Sequence, residues 1–241
     1  MNLQPVERVS VADAVFGQLR GEILAGRLAP GDAMPSERAL TELTGVNRQA
    51  VREALKRLDQ AGRVETRHGG PTRVRDYLRH AGLDLLPALL TRPDGTVDLV
   101  VARSVMEMRA SIGPDAARLC AQRAVAPLAD QLLAVVEAMA AVVDDVTALA
   151  ALDWRFWQLV VDGADNVAYV LAFNSLREAA APLAHALPVV TGDELRDVTG
   201  HRALATAIAR GHHDRAEAAA RRLLHQGIAA LATVLAEEDQ P

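Results

Sequence analysis

The sequence predicts a mostly α-helical protein. The expected fold is an N-terminal winged helix-turn-helix with a small β-hairpin as its wing, followed by an all-α antiparallel helical bundle. Three observations predict it. Half of the 241 residues are apolar but only 3% are aromatic, and Ala, Leu and Val supply most of the apolar content; strands prefer β-branched and aromatic side chains, so this balance favours helices. Two short periodic runs meet at a glycine-containing turn and are followed by a Gly–Gly pair flanked by valines. Charge divides along the chain: residues 1–75 hold 12 basic against 9 acidic residues, net +3, and the remainder 14 against 22, net −8. A basic segment joined to an acidic one suggests two domains with different partners.

In VADAVFGQLRGEILAGRL, residues Val11, Val15, Leu19, Ile23 and Leu24 form one stripe, so a first helix is expected to end near Gly26. The segment APGDAMP reads as a turn. Ser36 precedes the periodic run ERALTELT and Gly45 follows it, an N-cap and a stop signal. The turn Gly45-Val46-Asn47 leads into RQAVREALKRLDQAG, where Arg48, Arg52 and Lys56 recur every four residues on one helix face. Two short helices about such a turn make a helix-turn-helix. Val64 and Val74 then flank Gly69–Gly70, a hairpin signal. Domain bounds of 1–75, linker helices over 76–92 and a helical domain over 93–241 follow.

The second helix of such a motif enters the DNA major groove by its N-terminal end. Asn47, Arg48, Gln49 and Arg52 lie there. Arginine reads guanine O6 and N7 through a planar two-donor fork, and glutamine can read adenine. Ser36 and Arg38 are placed for the DNA backbone, and His68 and Gly69 at the wing tip for the minor groove. A run of charge is usually a solvated helix face; here it coincides with the turn, the wing and the charge division.

From residue 77 the pattern stays helical. Pro87, Pro93–Gly95, Gly113–Pro114, Pro127, Gly163, Pro182 and Pro188 punctuate segments near 97–111, 115–124, 128–146, 148–161, 166–185, 193–210 and 214–237. An antiparallel bundle is the economical arrangement. The single cysteine, Cys120, excludes an intrachain disulfide. MNLQPVERVS has no apolar signal region, and the most apolar run, residues 132–143, is too short for a bilayer. A cytoplasmic protein with no membrane partner is expected.

The stretch PGDAMPSERALTELTGVNRQAVREALKRLDQAGRVETRHGGPTRV resembles the N-terminal domain of the GntR family of bacterial transcription regulators, and within it the FadR subfamily. The resemblance rests on PG, PSER-x-L, GV-x-R, VREAL-x-x-L and a glycine-rich wing. It implies DNA contacts at Arg38, Arg48, Arg52, His68 and Gly69. Asn47, Gln49 and Ala50 depart from the threonines of the subfamily, and Gly70 replaces a wing lysine. The rest of the chain resembles, more weakly, the helical effector domain of the same branch. A homodimer on a palindromic DNA operator is implied, controlled by a small molecule in the bundle: a fatty acyl-CoA, a related lipid or another organic acid.

Within the bundle, many relatives hold a metal with Asp-x-x-Phe-His and two later histidines. Here that set reads Asp153, Trp157, His201 and His225. An indole nitrogen is only a donor and cannot ligate. A metal-free effector pocket is therefore favoured over a metal-dependent regulator using Asp153, His201 and His225, and over a metal hydrolase, for which no general base is identifiable. No cofactor is expected, nor an enzyme. A lone arginine, Arg109, can pair with an acid such as Glu107 or grip an acidic ligand as a fork. Asp153 and the histidines can equally pair among themselves. In the last helix, Leu224, Gly227 and Leu231 occupy the positions at which the subfamily surrounds its ligand.

Overall fold

The computed structural model describes residues 10–66, 70–79, 81–92, 95–123, 126–184 and 187–238. The chain divides into two units, Met1–Thr96 and Val97–Pro241.

The first unit holds α1 (Val11–Leu24), α2 (Glu37–Thr44) and α3 (Arg48–Gln60), then the antiparallel strands β1 (Val64–Glu65) and β2 (Arg73–Val74). Val64 pairs with Val74 and Glu65 with Arg73. The Ser36 hydroxyl caps α2 by accepting from the Ala39 amide at 3.2 Å, and the Asn47 side chain caps α3 by accepting from the Ala50 amide at 2.9 Å. Gly45 ends α2 at φ +69°, a left-handed geometry that glycine adopts without a Cβ penalty. Val15, Leu19, Ile23, Leu40, Val51, Leu58 and Val64 form the core, each such side chain stabilising by roughly 1.5–3 kcal/mol on burial.

Two expectations change here. The buried stripe of α1 is Ala12, Val15, Leu19 and Ile23, while Val11 is 54% exposed, because the side chains one helical turn apart that face α3 start at Ala12. The segment read as a turn before Ser36 lies along β2: Ala33 bridges Arg73, the Gly31 amide donates to the Val74 carbonyl at 2.8 Å, and the Met34 amide to the Thr72 carbonyl at 2.8 Å. It is too short and polar to show strand alternation. Two single-turn 3-10 helices and the short α4 (Leu86–Leu90) complete this unit.

The second unit is helical: α5 (Leu99–Arg123), α6 (Ala126–Ala141), α7 (Val146–Gly163), α8 (Val167–Ala180), α9 (Leu187–Arg196), α10 (Val198–Ala209) and α11 (His213–Glu238). Alanines at 116, 117, 205, 216 and 220 are fully buried, and side chains that small let α5, α10 and α11 pack closely. The break expected at Gly113–Pro114 is absent; α5 runs through it with Pro114 buried inside. A mid-helix proline costs about 3 kcal/mol, and burial along the longest helix-to-helix seam outweighs that. The run 193–210 divides instead at Asp197, whose carboxylate caps α10 by accepting from the Gly200 amide at 2.7 Å.

Candidate functional site

In the first unit, the cap at Asn47 aims the start of α3 outward. Arg48, Gln49, Arg52 and Lys56 are exposed on it, and Arg38 is exposed on α2. Asn47 differs from the others: its side-chain oxygen is engaged by the helix end, so its contribution is to fix where α3 begins. Ser36 has the same role at α2. Arg52 reaches back to α2, its Nε and one terminal nitrogen donating to Glu37 at 3.2 and 3.1 Å. That hydrogen bond holds the Glu37 carboxyl below its usual value, against a small opposing effect of burial and with help from the Arg52 and Arg48 charges. The pair is exposed, with side chains 69% and 39% accessible, and pairs of that kind contribute about 0–1 kcal/mol. An arginine fork on guanine is worth about 1–3 kcal/mol of discrimination against other bases. An exposed carboxylate is thus a partner that Arg52 can exchange.

A cleft of about 510 Å³ separates α2 and α3 from the hairpin, lined by Ser36, Glu37, Arg52, Lys56, Thr66, Gly70 and Thr72 among others. It brings Ser36 and Arg52 together and adds the hydroxyls of Thr66 and Thr72, 3.4 Å apart, which sequence reading passed over because threonines flanking a strand carry no distinguishing pattern. Arg38, Arg48 and Gln49 do not line it. His68 and Gly69 lie outside the described residues.

The second unit holds a partly open cavity of about 110 Å³ between α5, α7, α8, α9 and α11. Ile112, Val161, Phe173, Leu176, Leu195 and Leu224 make its walls apolar, and Trp154, Trp157, Tyr169, Arg109 and Asp153 also line it. Gly113 lets α11 approach: a Cβ there would stand 2.3 Å from Leu224 Cδ1 and 3.5 Å from the Trp157 ring.

Arg109 is the centre of a buried polar chain. It donates to both oxygens of Glu194, at 2.8 and 2.5 Å, and lies 3.8 Å from Asp153. Its guanidinium sits 5.8 Å from the centre of the Trp157 ring. Asp153 accepts from or donates to His201 Nε2 at 3.0 Å, and His201 Nδ1 meets the Asp197 carbonyl at 2.9 Å. A carbonyl only accepts, so Nδ1 carries a proton. Nε2 facing a carboxylate then requires a second proton in that bond, which makes the pair imidazolium–carboxylate or imidazole–carboxylic acid. Burial pulls the His201 pKa down, but Asp153, the Asp197 carbonyl and Glu194 outweigh it and hold the group above its ordinary value. Burial pushes the Glu194 carboxyl up against the opposing pull of Arg109. For Arg109 burial acts downward, and Glu194 and Asp153 reverse it, raising the pKa.

Of the residues expected around an effector, Arg109, Asp153, Trp157 and Leu224 line this cavity. His201 stands behind Asp153. Gly227 is buried where a Cβ would meet Met106 at 2.5 Å and Glu194 at 3.3 Å, and Leu231 is buried but does not line the cavity. His225 is exposed. The acid partner of Arg109 is Glu194, 85 residues away, and not Glu107; no local pattern links them. The alternative metal set does not assemble. His201 has both ring nitrogens engaged, His225 turns to solvent, and no group of three His, Cys, Asp or Glu among the described residues could hold a metal.

Comparison with known proteins bears on both units. Residues 11–74 match the bacterial regulatory proteins of the gntR family, and residues 104–226 match the FCD domain. The chain is 43% identical over 243 residues to the HTH-type transcriptional regulator Mce2R of Mycobacterium tuberculosis, covering 99% of this chain and 98% of that one. It is 33% identical over 151 residues to the fatty acid metabolism regulator protein of Edwardsiella ictaluri, covering 63% and 61%. Among solved structures, Lar of Listeria monocytogenes superposes with a TM-score of 0.56 at 16% identity, covering 96% of this chain and all of the other. Among the described residues no helix is long and apolar enough to cross a membrane.

Proposed function

The chain belongs to the gntR family of bacterial regulatory proteins, a DNA-binding transcription regulator and not an enzyme, and on that premise we propose that it acts as a homodimer on a palindromic operator under the control of an acidic ligand held in the bundle cavity. One helix-turn-helix reads one half-site, and two-fold symmetry supplies the other. The observation that carries the ligand reading is the Arg109 fork in the wall of an apolar cavity. In the structure Glu194 fills that fork. A ligand carboxylate can take its place, exchanging one anion for another, while the apolar body of the ligand occupies the cavity. Trp157 Nε1 is buried with no hydrogen-bond partner among the described residues, and a ligand oxygen near it would satisfy that donor.

Displaced Glu194 belongs to α9, so ligand binding favours a conformation in which α9 has released Arg109. Control follows from that difference in affinity between two conformations. The named fatty acid metabolism regulators support a fatty acid or acyl-CoA as the acid. The cavity, at about 110 Å³, is smaller than the roughly 150 Å³ apolar cavity that holds benzene. A short-chain acid fits it as shaped, and a long acyl chain would extend beyond it.

Both tryptophans of the chain line the cavity, so intrinsic fluorescence reads its occupancy. The test is a titration with fatty acids of increasing length and their CoA thioesters, alongside operator gel shifts. Saturable quenching that weakens at least tenfold in Arg109→Met, with a matching change in operator affinity, is expected. Equal affinity in Arg109→Met rules this site out.

A further inference from the structure

The bundle carries a second concavity, remote in composition from the effector cavity. It lies between α10 and α11, has a volume of about 230 Å³, and is floored by alanines with the Thr206 hydroxyl among them. Its rim is cationic: Arg210 at the end of α10, then Arg215 and Arg222 on α11, with His212 between the helices. Among the described residues no acid lines it.

This arrangement is unusual for its surroundings. Residues 97–241 hold 12 arginines against 19 acids, and several arginines of the unit are held in ion pairs. Arg118 pairs with Asp115, Arg202 with Glu137, and Arg221 with Glu217. The acids nearest the cleft in sequence are engaged as well, Asp214 with His213 and Glu217 with Arg221. Arg210, Arg215 and Arg222 have no ion-pair partner among the described residues, and all three are exposed. Arg215 and Arg222 are seven residues apart, two turns along one helix face, so roughly 10 Å separates their backbones. Like charges held around one hollow repel, and an anion bound between them relieves that repulsion.

We propose that this cleft binds a linear oligophosphate group, gripped by Arg210, Arg215 and Arg222. The guanidinium fork matches phosphate geometry with two parallel donors. Three such groups offset most of the charge of a short oligophosphate, whereas a single carboxylate would leave two unneutralised. The alanine floor leaves room for the chain, and Thr206 offers it a hydroxyl. A concave cleft of this size suits a small molecule better than duplex DNA, whose phosphates lie on a convex surface. The group can come from free polyphosphate or from a nucleotide, and the same residues would hold either.

The experiment is calorimetric titration of the full chain with sodium tripolyphosphate at constant ionic strength, repeated with metal-free ATP. Saturable binding of one tripolyphosphate per chain is expected. Charge-assisted hydrogen bonds of this kind are strong enough that Arg215→Gln and Arg222→Gln should each weaken it at least about tenfold. Arg221→Gln, outside the cleft, should change it less than about twofold. All three positions are exposed, and an unchanged melting temperature verifies the fold of each variant. Tighter binding of ATP than of tripolyphosphate assigns the group to a nucleotide; equal or weaker binding assigns it to free oligophosphate. The proposal fails if no saturable binding occurs, or if Arg221→Gln loses as much as the cleft variants, which would mean diffuse charge. It also fails if non-specific duplex DNA competes and Arg222→Gln weakens DNA binding equally, which would make the cleft a DNA contact.

Discussion

Replacing Glu194 by glutamine tests the polar chain and the ligand site together. Glu194 is fully buried and Arg109 is 19% exposed, and the two share a bidentate contact at 2.8 and 2.5 Å. Removing the charge of one partner from a buried pair costs about 3–5 kcal/mol, because the other charge stays in a poorly solvated site. Here Asp153, 3.8 Å from the same guanidinium, takes up part of that charge, and the glutamine oxygen keeps one hydrogen bond. The loss should therefore fall near the lower end, about 3 kcal/mol. For a domain of this size 1 kcal/mol shifts Tm by roughly 2–4 °C, so a fall of about 6–12 °C is expected in calorimetry. The double variant Arg109→Met with Glu194→Leu should recover most of it, since apolar replacement of both partners removes the stranded charge. The same Glu194→Gln protein has its fork open to a competing carboxylate, and fluorescence titration should show acids binding at least tenfold more tightly. A Tm within about 2 °C of the parent together with unchanged acid affinity would refute the reasoning.

Three further outcomes are expected. Arg52→Ala should weaken specific operator binding by about 10- to 100-fold, the value of one guanine fork, while Tm and ligand quenching stay unchanged; a gel-shift titration with undiminished affinity would remove Arg52 from the readout. Because the folded pKa of His201 is raised above its ordinary 6.5, its contribution to stability is fully present below about pH 6.5 and is lost as pH rises through the folded value. Thermal unfolding across pH 6–9 should show this decline, and His201→Gln should flatten it. Gly113→Ala places a methyl 2.3 Å from Leu224 Cδ1, so overpacking should cost about 1–3 kcal/mol and push Leu224 into the cavity, weakening acid binding; a stabilised variant with normal binding would contradict the packing described.

How much of this was legible beforehand follows from the range of each interaction. Ser36 and Gly45 act on amides or dihedrals within three residues, so their spacing announced both ends of α2, whereas Asn47, read as a DNA contact, caps α3. The ridge of Arg48, Arg52 and Lys56 was equally local, set by the helical repeat. The segment Gly31–Met34 escaped notice because its partner β2 is some forty residues on, and nothing in its own composition favours a strand. Pro114 misled for the opposite reason: the local rule is sound, but packing of α5 overrode it.

The amino-acid sequence by itself therefore determined the helical class and the winged helix-turn-helix, which depend on periodicity, capping and turn residues over a few positions. The basic ridge of α3 was equally local, whereas Asp153 and Trp157 became candidates, and Arg109 was favoured for the pocket, through the family resemblance. Only the tertiary structure decided that Glu194 fills the Arg109 fork, that His201 stands on Asp153 and that His225 turns away. It alone placed Arg210, Arg215 and Arg222 around one cleft. These choices depend on which faces of distant helices meet, and burial makes that choice for the whole bundle at once.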